Sequence, residues 1–169
     1  MGKKTRAITL SSLFSALAVI FLYIASVWPT GQLGLVAVSS LFVAASVIEA
    51  GLVYGLYTFI VSSALGMLLI PDKTAAFLFI LFFGFYPLIK CVIERINGLF
   101  PQWLLKFLVF NASLTVVWFL LRGLLFDSTD NMPGTAVAFI GGNAVFALFD
   151  YGYTKVIRLY YTRVPRRRQ

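Results

Sequence analysis

The sequence predicts an all-α, polytopic membrane protein with six transmembrane helices and both termini in the cytoplasm. Six apolar stretches, each about as long as a helix that crosses a ~30 Å hydrocarbon core, make up most of the 169 residues. Composition agrees, because 60% of residues are apolar, 12% are charged and mean hydropathy is +0.92. Twelve of the fourteen Lys and Arg lie at the N-terminus, between or near the facing ends of the fourth and fifth stretches, or toward the C-terminus. These places share one side of the membrane, and excess Lys and Arg marks the cytoplasmic side.

The six stretches predict one membrane domain over residues 1–169, with spans at about 8–28, 32–48, 52–70, 74–93, 103–126 and 135–157. Glu49-Ala50-Gly51 is predicted to form a tight inner turn. One helix over 33–70 would be roughly 57 Å long at ~1.5 Å per residue, well beyond the hydrocarbon core. The first stretch exceeds the ~7–15 residues of a signal-peptide core, so we expect it to be retained as a helix.

The fourth predicted span contains two residues that favour local irregularity. Pro87 leaves a backbone carbonyl without its helical donor, so we expect a kink near the inner end of this span. Gly84 would allow another helix to cross closely. Pro71-Asp72-Lys73 and the loop 127–134 are predicted to be outer turns.

Several classes of chemistry lack their usual residues in this chain. There is no Gly-rich phosphate loop, no His and a single Cys, so we expect no catalytic site, no metal site and no cofactor. The chain is therefore predicted not to be an enzyme. The net charge of +8 lies in segments that flank the membrane, so anionic lipid rather than nucleic acid is the expected counter-charge.

Polar residues within the predicted spans are the candidates for function, because each is costly in a bilayer. Arg122 lies about one turn from the outer end of the fifth span, where it either snorkels to headgroups or faces a solute pocket. Asp150 lies about 15 residues into the sixth span, in the inner third of the membrane. It either forms a buried ion pair with Lys90, Arg95, Lys106 or Lys155 or serves as an ion-coupling carboxylate.

Two further groups of residues suggest surfaces on opposite sides of the membrane. The candidates for an external binding site are Arg122, Trp118, Asn143, Asp127, Asp130, Gln32 and Asp72. Asn111 and Asn143 also have a simpler interpretation as an interhelical hydrogen-bond pair. In the inner half of the first span, the small residues Ser11, Ser12, Ser15 and Ala16 either pack within the protein or form a docking face for another membrane subunit.

These features together resemble the S components of energy-coupling factor (ECF) transporters. Those are small six-helix membrane proteins whose first helix carries a small-x-x-x-small motif. The segment Thr9-Leu10-Ser11-Ser12-Leu13-Phe14-Ser15-Ala16-Leu17 is similar to it, with Ser12 and Ala16 at the motif positions and Ser12 in place of the usual Ala.

The resemblance implies a substrate-capturing subunit of the cell membrane that takes a vitamin or similar micronutrient from outside. It implies binding by loops one, three and five, which are 29–32, 71–73 and 127–134 here. A transmembrane coupling subunit and two ATPase subunits would be the partners. Two alternatives remain: a non-transporting scaffold of the MreD rod-shape type, and a stand-alone secondary carrier or lipid translocator.

Overall fold

A computed structural model describes residues 2–125 and 134–163, and these residues form helices without any strand. The helices are α1 (Lys3–Val27), α2 (Gln32–Ala50), α3 (Leu52–Leu69), α4 (Lys73–Leu78), α5 (Tyr86–Ile93), α6 (Leu99–Leu125) and α7 (Thr135–Arg163). A short 3₁₀ turn precedes α2, and a π-helical turn links α4 to α5. The prediction of an all-α fold is confirmed.

Five segments among the described residues are long and apolar enough to cross a membrane. They are Lys4–Val27, Gln32–Ala50, Leu52–Leu69, Lys73–Ile93 and Leu99–Phe119. The fourth comprises α4, the π-helical turn and α5. By helix length and composition the chain is thus a multi-pass membrane protein. A sixth span, which would lie within α7, and the cytoplasmic position of both termini stay predictions.

Gly51 separates α2 from α3. Its backbone φ is +99°, a value that residues with a Cβ rarely adopt. This conformation allows the chain to reverse between Ala50 and Leu52. One hydrophobic core lies between α1, α2, α3, α4 and α6, and its buried members include Leu22, Val43 and Phe79. The turn at Gly51 is what lets α2 and α3 pack side by side in this core.

The fourth predicted span is irregular on the N-terminal side of Pro87. Its break is the π-helical turn Phe79–Phe83, where the Gly84 N–H donates to the Phe79 carbonyl oxygen at 2.6 Å. Pro87 lies in the first turn of α5, where a missing N–H costs nothing. Pro87 has no N–H to donate to the Phe83 carbonyl oxygen, and Phe83 is the residue at which the π-helical turn ends. The predicted kink itself stays a prediction. Gly84 does not admit a neighbouring helix, because the Phe79 ring of its own span occupies the space beside it.

Helices α1, α6 and α7 extend past the apolar stretches that predicted them. α6 begins at Leu99, four residues before the predicted start at Trp103. Pro101 is tolerated because the first-turn N–H groups of a helix have no intrahelical acceptor. α7 continues to Arg163, beyond the predicted end at Ile157. The helices are thus longer than the apolar stretches, because helical hydrogen bonding continues into the polar residues that flank them.

Candidate functional site

The most concentrated polar chemistry in the described chain is a buried cluster around Asp150. Asp150, Lys90 and Lys106 are only 2%, 2% and 5% exposed, respectively. Lys90 Nζ forms an ion pair with Asp150 Oδ1, and Lys106 Nζ donates to Asp150 Oδ2 at 3.0 Å. The Tyr86 hydroxyl donates to Asp150 Oδ1 at 2.5 Å. This carboxylate therefore holds α5, α6 and α7 together.

Glu94 completes the cluster at its more exposed edge. Its Oε1 lies 2.7 Å from Lys90 Nζ and 2.9 Å from Lys106 Nζ, and its side chain is 39% exposed. Burial raises the pKa of Glu94, but hydrogen bonds from the two lysines outweigh this effect and hold the pKa below its ordinary value. With both carboxylates ionised and both lysines charged, the cluster carries no net charge. We name these residues, Tyr86, Lys90, Glu94, Lys106 and Asp150, the charge cluster.

Helical spacing and an aromatic shell explain why the charge cluster forms. Tyr86, Lys90 and Glu94 follow one another at intervals of four residues, so they lie along one face of α5. Rings from α5, α6, α7 and the π-helical turn surround them, and Phe110 stacks on Phe146 with centroids 4.5 Å apart. An apolar surrounding strengthens each ion pair and makes the loss of any partner costly.

Three donors, Tyr86, Lys90 and Lys106, bind the Asp150 carboxylate. Lys90 and Lys106 are the partners among the four cations that the sequence suggested. Arg95 instead extends toward Cys91, with Nη2 4.0 Å from Sγ, and Lys155 lies over the Tyr151 ring. Both Asp150 oxygens therefore accept from charged donors, and the carboxylate joins α5, α6 and α7.

A second polar contact joins α6 to α7 through their amides. Asn111 Nδ2 donates to Asn143 Oδ1 at 2.9 Å, and Asn143 Nδ2 donates to Asn111 Oδ1 at 3.0 Å. Asn143 was also a candidate ligand-binding residue, and here its amide is engaged with α6. Trp118, two turns further along α6, is buried with 8% of its surface exposed.

The candidates at the predicted outer end are only partly within the described residues. Gln32 Nε2 donates to Asp72 Oδ2 at 2.5 Å, which joins the start of α2 to the start of α4. Asp72 also caps α4 by accepting from the Thr74 N–H at 2.9 Å. Asp127 and Asp130 lie outside the described residues, and so does the side chain of Arg122. Among these candidates, the structure therefore brings Gln32 and Asp72 together.

The four small residues of α1 divide between two faces. Ser11 and Ser15 are buried, and their carbonyl oxygens accept from Thr58 and Ser62 of α3, each at 3.4 Å. Ser12 and Ala16 are exposed. The first pair thus belongs to internal packing, while the second leaves a small-residue face uncovered on the outside of the bundle.

Sequence reasoning considered the members of the charge cluster singly and missed the cluster as a unit. Tyr86 and Glu94 were not singled out, although the four-residue spacing of Tyr86, Lys90 and Glu94 was a readable signal. A further contact was also missed at the ends of α1, α2 and α7. There, Glu49 lies 3.6 Å from Arg6 Nη2 and accepts from the Tyr160 hydroxyl at 3.1 Å.

Comparisons of the chain with protein-family models, with curated proteins and with solved structures found no match.

Proposed function

We propose that the chain is the substrate-capturing membrane subunit of an ECF-type importer for a vitamin or similar small organic micronutrient. The observation that carries this proposal is the uneven packing along α7. Its second half buries Phe146, Asp150 and Tyr153, whereas no described side chain in 136–145 is buried. The predicted outer half of this helix therefore has the weaker attachment.

A lipid-facing surface alone does not explain the low burial of residues 136–145. Val137, Ile140 and Val145 are 65%, 74% and 63% exposed and form such a face. The opposite stripe, which includes Phe139 and Asn143, is itself only partly covered. Segments with few buried contacts open at low cost, as binding lids must. A partly covered inward stripe beside α6 supports solute capture at this end of the bundle.

The charge cluster supports a division of labour between the two ends of the protein. Near the predicted inner end it ties α5, α6 and α7 into one rigid unit, so movement of outer α7 need not disturb that end. The chain has no Gly-rich phosphate loop of its own, so the proposal assigns energy supply to separate ATPase subunits and a transmembrane coupling subunit. The exposed Ser12 and Ala16 of α1 offer a face on which a membrane partner can approach closely.

Ligand binding by the purified full-length protein tests this proposal. We expect one compound of a vitamin panel to raise the melting temperature, and native mass spectrometry to detect the same compound at one copy per chain. Trp118→Phe should weaken its binding about tenfold, which corresponds to ~1.4 kcal/mol. Trp103→Phe is the matched control and should leave affinity unchanged, because Trp103 lies at the opposite end of α6.

The proposed function and its two alternatives predict different experimental outcomes. If no compound shifts the melting temperature and no ATPase subunit co-purifies, the proposal is wrong. Co-purification with cell-wall enzymes would favour the scaffold. The full pairing of Asp150 speaks against a stand-alone carrier that moves a coupling ion at this residue. If Asp150→Asn abolished transport while the protein remained folded, this result would favour the hypothesis of a stand-alone carrier.

A further inference from the structure

An apolar groove lies between the beginning of α3 and the end of α5. Its volume is about 330 Å³ and its lining is entirely apolar. Val53 and Leu56 form one wall, and Leu88, Ile89 and Val92 contribute to the other. Because the lining offers no hydrogen-bonding group, it does not satisfy the backbone of an extended peptide. A hydrocarbon chain has no polar groups that need hydrogen-bond partners, so it is compatible with this lining.

Arg95 follows the α5 wall of this groove by less than one helical turn. It lies three residues after Val92, and its backbone N–H donates to the Val92 carbonyl oxygen at 3.2 Å. The neighbouring carboxylate of Glu94 is held by Lys90 and Lys106. Among the described residues, Arg95 has no ion pair, and its guanidinium has a weak contact with Cys91 Sγ. An exposed cation without an acidic partner among the described residues therefore follows the groove-lining residues of α5 in the chain.

The segment after Arg95 has the character of a membrane interface. Ile96, Leu99 and Phe100 are 40%, 76% and 80% exposed, and Trp103 follows at 37%. Large apolar side chains beside cations are typical of a surface in contact with lipid headgroups. A guanidinium in this position matches a phosphate oxygen pair better than an ammonium does.

We infer that the groove and Arg95 together bind one anionic phospholipid. One acyl chain lies between α3 and α5, and the headgroup phosphate pairs with the Arg95 guanidinium. The lipid belongs to the leaflet at the end of the bundle where the charge cluster lies. This inference does not rest on the proposed function, since the lipid site and the proposed solute site lie at opposite ends of the helical bundle.

Competition between two lipids in nanodiscs tests the site. The full-length protein is placed in equal amounts of phosphatidylglycerol and phosphatidylcholine, and native mass spectrometry counts the lipids it retains. We expect one phosphatidylglycerol to be retained in preference. Arg95→Gln should lower that preference about fivefold, as expected for one basic residue near the headgroups. Arg95→Lys should restore part of it.

Two further variants separate a specific site from general charge. Arg158→Gln removes an exposed cation from α7 and should leave the preference unchanged. Val53→Trp fills the groove and should reduce retention of both lipids while Arg95 is intact. Equal losses in the Arg95 and Arg158 variants, full retention in Val53→Trp, or no preference in the wild type would each overturn the inference. So would a protein subunit that occupies the groove while Arg95→Gln leaves lipid retention unchanged.

Discussion

Asn111 and Asn143 exchange amide hydrogen bonds across α6 and α7, at 2.9 and 3.0 Å. Each Nδ2 also donates to the carbonyl oxygen four residues earlier in its own helix, Phe107 and Phe139 respectively, both at 2.8 Å. Both N–H bonds of each amide are therefore used. The two amides satisfy each other's hydrogen-bonding groups, and the pair fixes one register between α6 and α7 next to the stacked rings of Phe110 and Phe146.

Replacement of one asparagine should destabilise the protein more than replacement of both. Asn111→Leu leaves the Asn143 amide without its interhelical partner, and we expect a loss of about 0.6–1.7 kcal/mol, as measured for such bonds in membrane proteins. The double variant Asn111→Leu/Asn143→Leu should recover part of that loss. A double-mutant cycle, measured by denaturant unfolding in detergent, gives the coupling energy. Strictly additive losses would show that the two amides do not interact.

Asp150→Asn should be among the most destabilising single changes in the chain. It leaves Lys90 and Lys106 buried with Glu94 as their one remaining carboxylate, and breaking a buried ion pair in this way costs about 3–5 kcal/mol. Glu49→Gln is the matched control. It breaks the ion pair with the 59%-exposed Arg6, where we expect about 1 kcal/mol or less. Thermal unfolding of both variants checks the order, and a smaller effect for Asp150→Asn would contradict the assigned role of the charge cluster.

Glu94 should make stability depend on pH on the acid side. Its pKa in the folded protein lies below the ordinary value of 4.5, so its contribution is fully present above pH 4.5. That contribution is lost as pH falls through the pKa of the folded state, because the folded protein then takes up the proton that weakens both lysine contacts. Melting temperatures of the wild type and of Glu94→Gln, measured from neutral to acid pH, should converge. A constant difference would show that ionised Glu94 is not the source.

The helices of this protein were predictable because each depends on a local pattern. The apolar stretches and the turn at Gly51 are readable from neighbouring residues alone, whereas the true ends of α6 and α7 are set by hydrogen bonding that continues into polar sequence. The charge cluster could not be predicted from neighbouring residues alone. Lys90 and Asp150 are 60 residues apart in sequence, and only the packing of α5 and α6 against α7 decides which two of the four candidate cations reach the carboxylate.

The π-helical turn shows the same limit within one span. Pro87 is the visible irregularity in the sequence, and a proline in mid-helix normally marks a break. Here the π-helical turn ends at Phe83, four residues before Pro87, and α5 begins at Tyr86. The Phe79 ring fills the space beside Gly84, five residues later in the chain, and neither residue alone predicts an extra residue in the turn.

Gly84→Ala tests how tightly this turn is constrained. A Cβ at position 84 would lie 2.6 Å from Phe79 Cε1, closer than real Cβ contacts allow, so the buried ring must move. We expect a loss of about 1–3 kcal/mol from this overpacking. Gly152→Ala in α7 is the matched control, since a Cβ there meets nothing within 4 Å and alanine favours a helix interior by about 1 kcal/mol. It should be neutral or stabilising in thermal unfolding. Phe79→Leu removes the obstructing ring edge, so Gly84→Ala should cost less in that background, and an unchanged cost would place the constraint in the backbone instead.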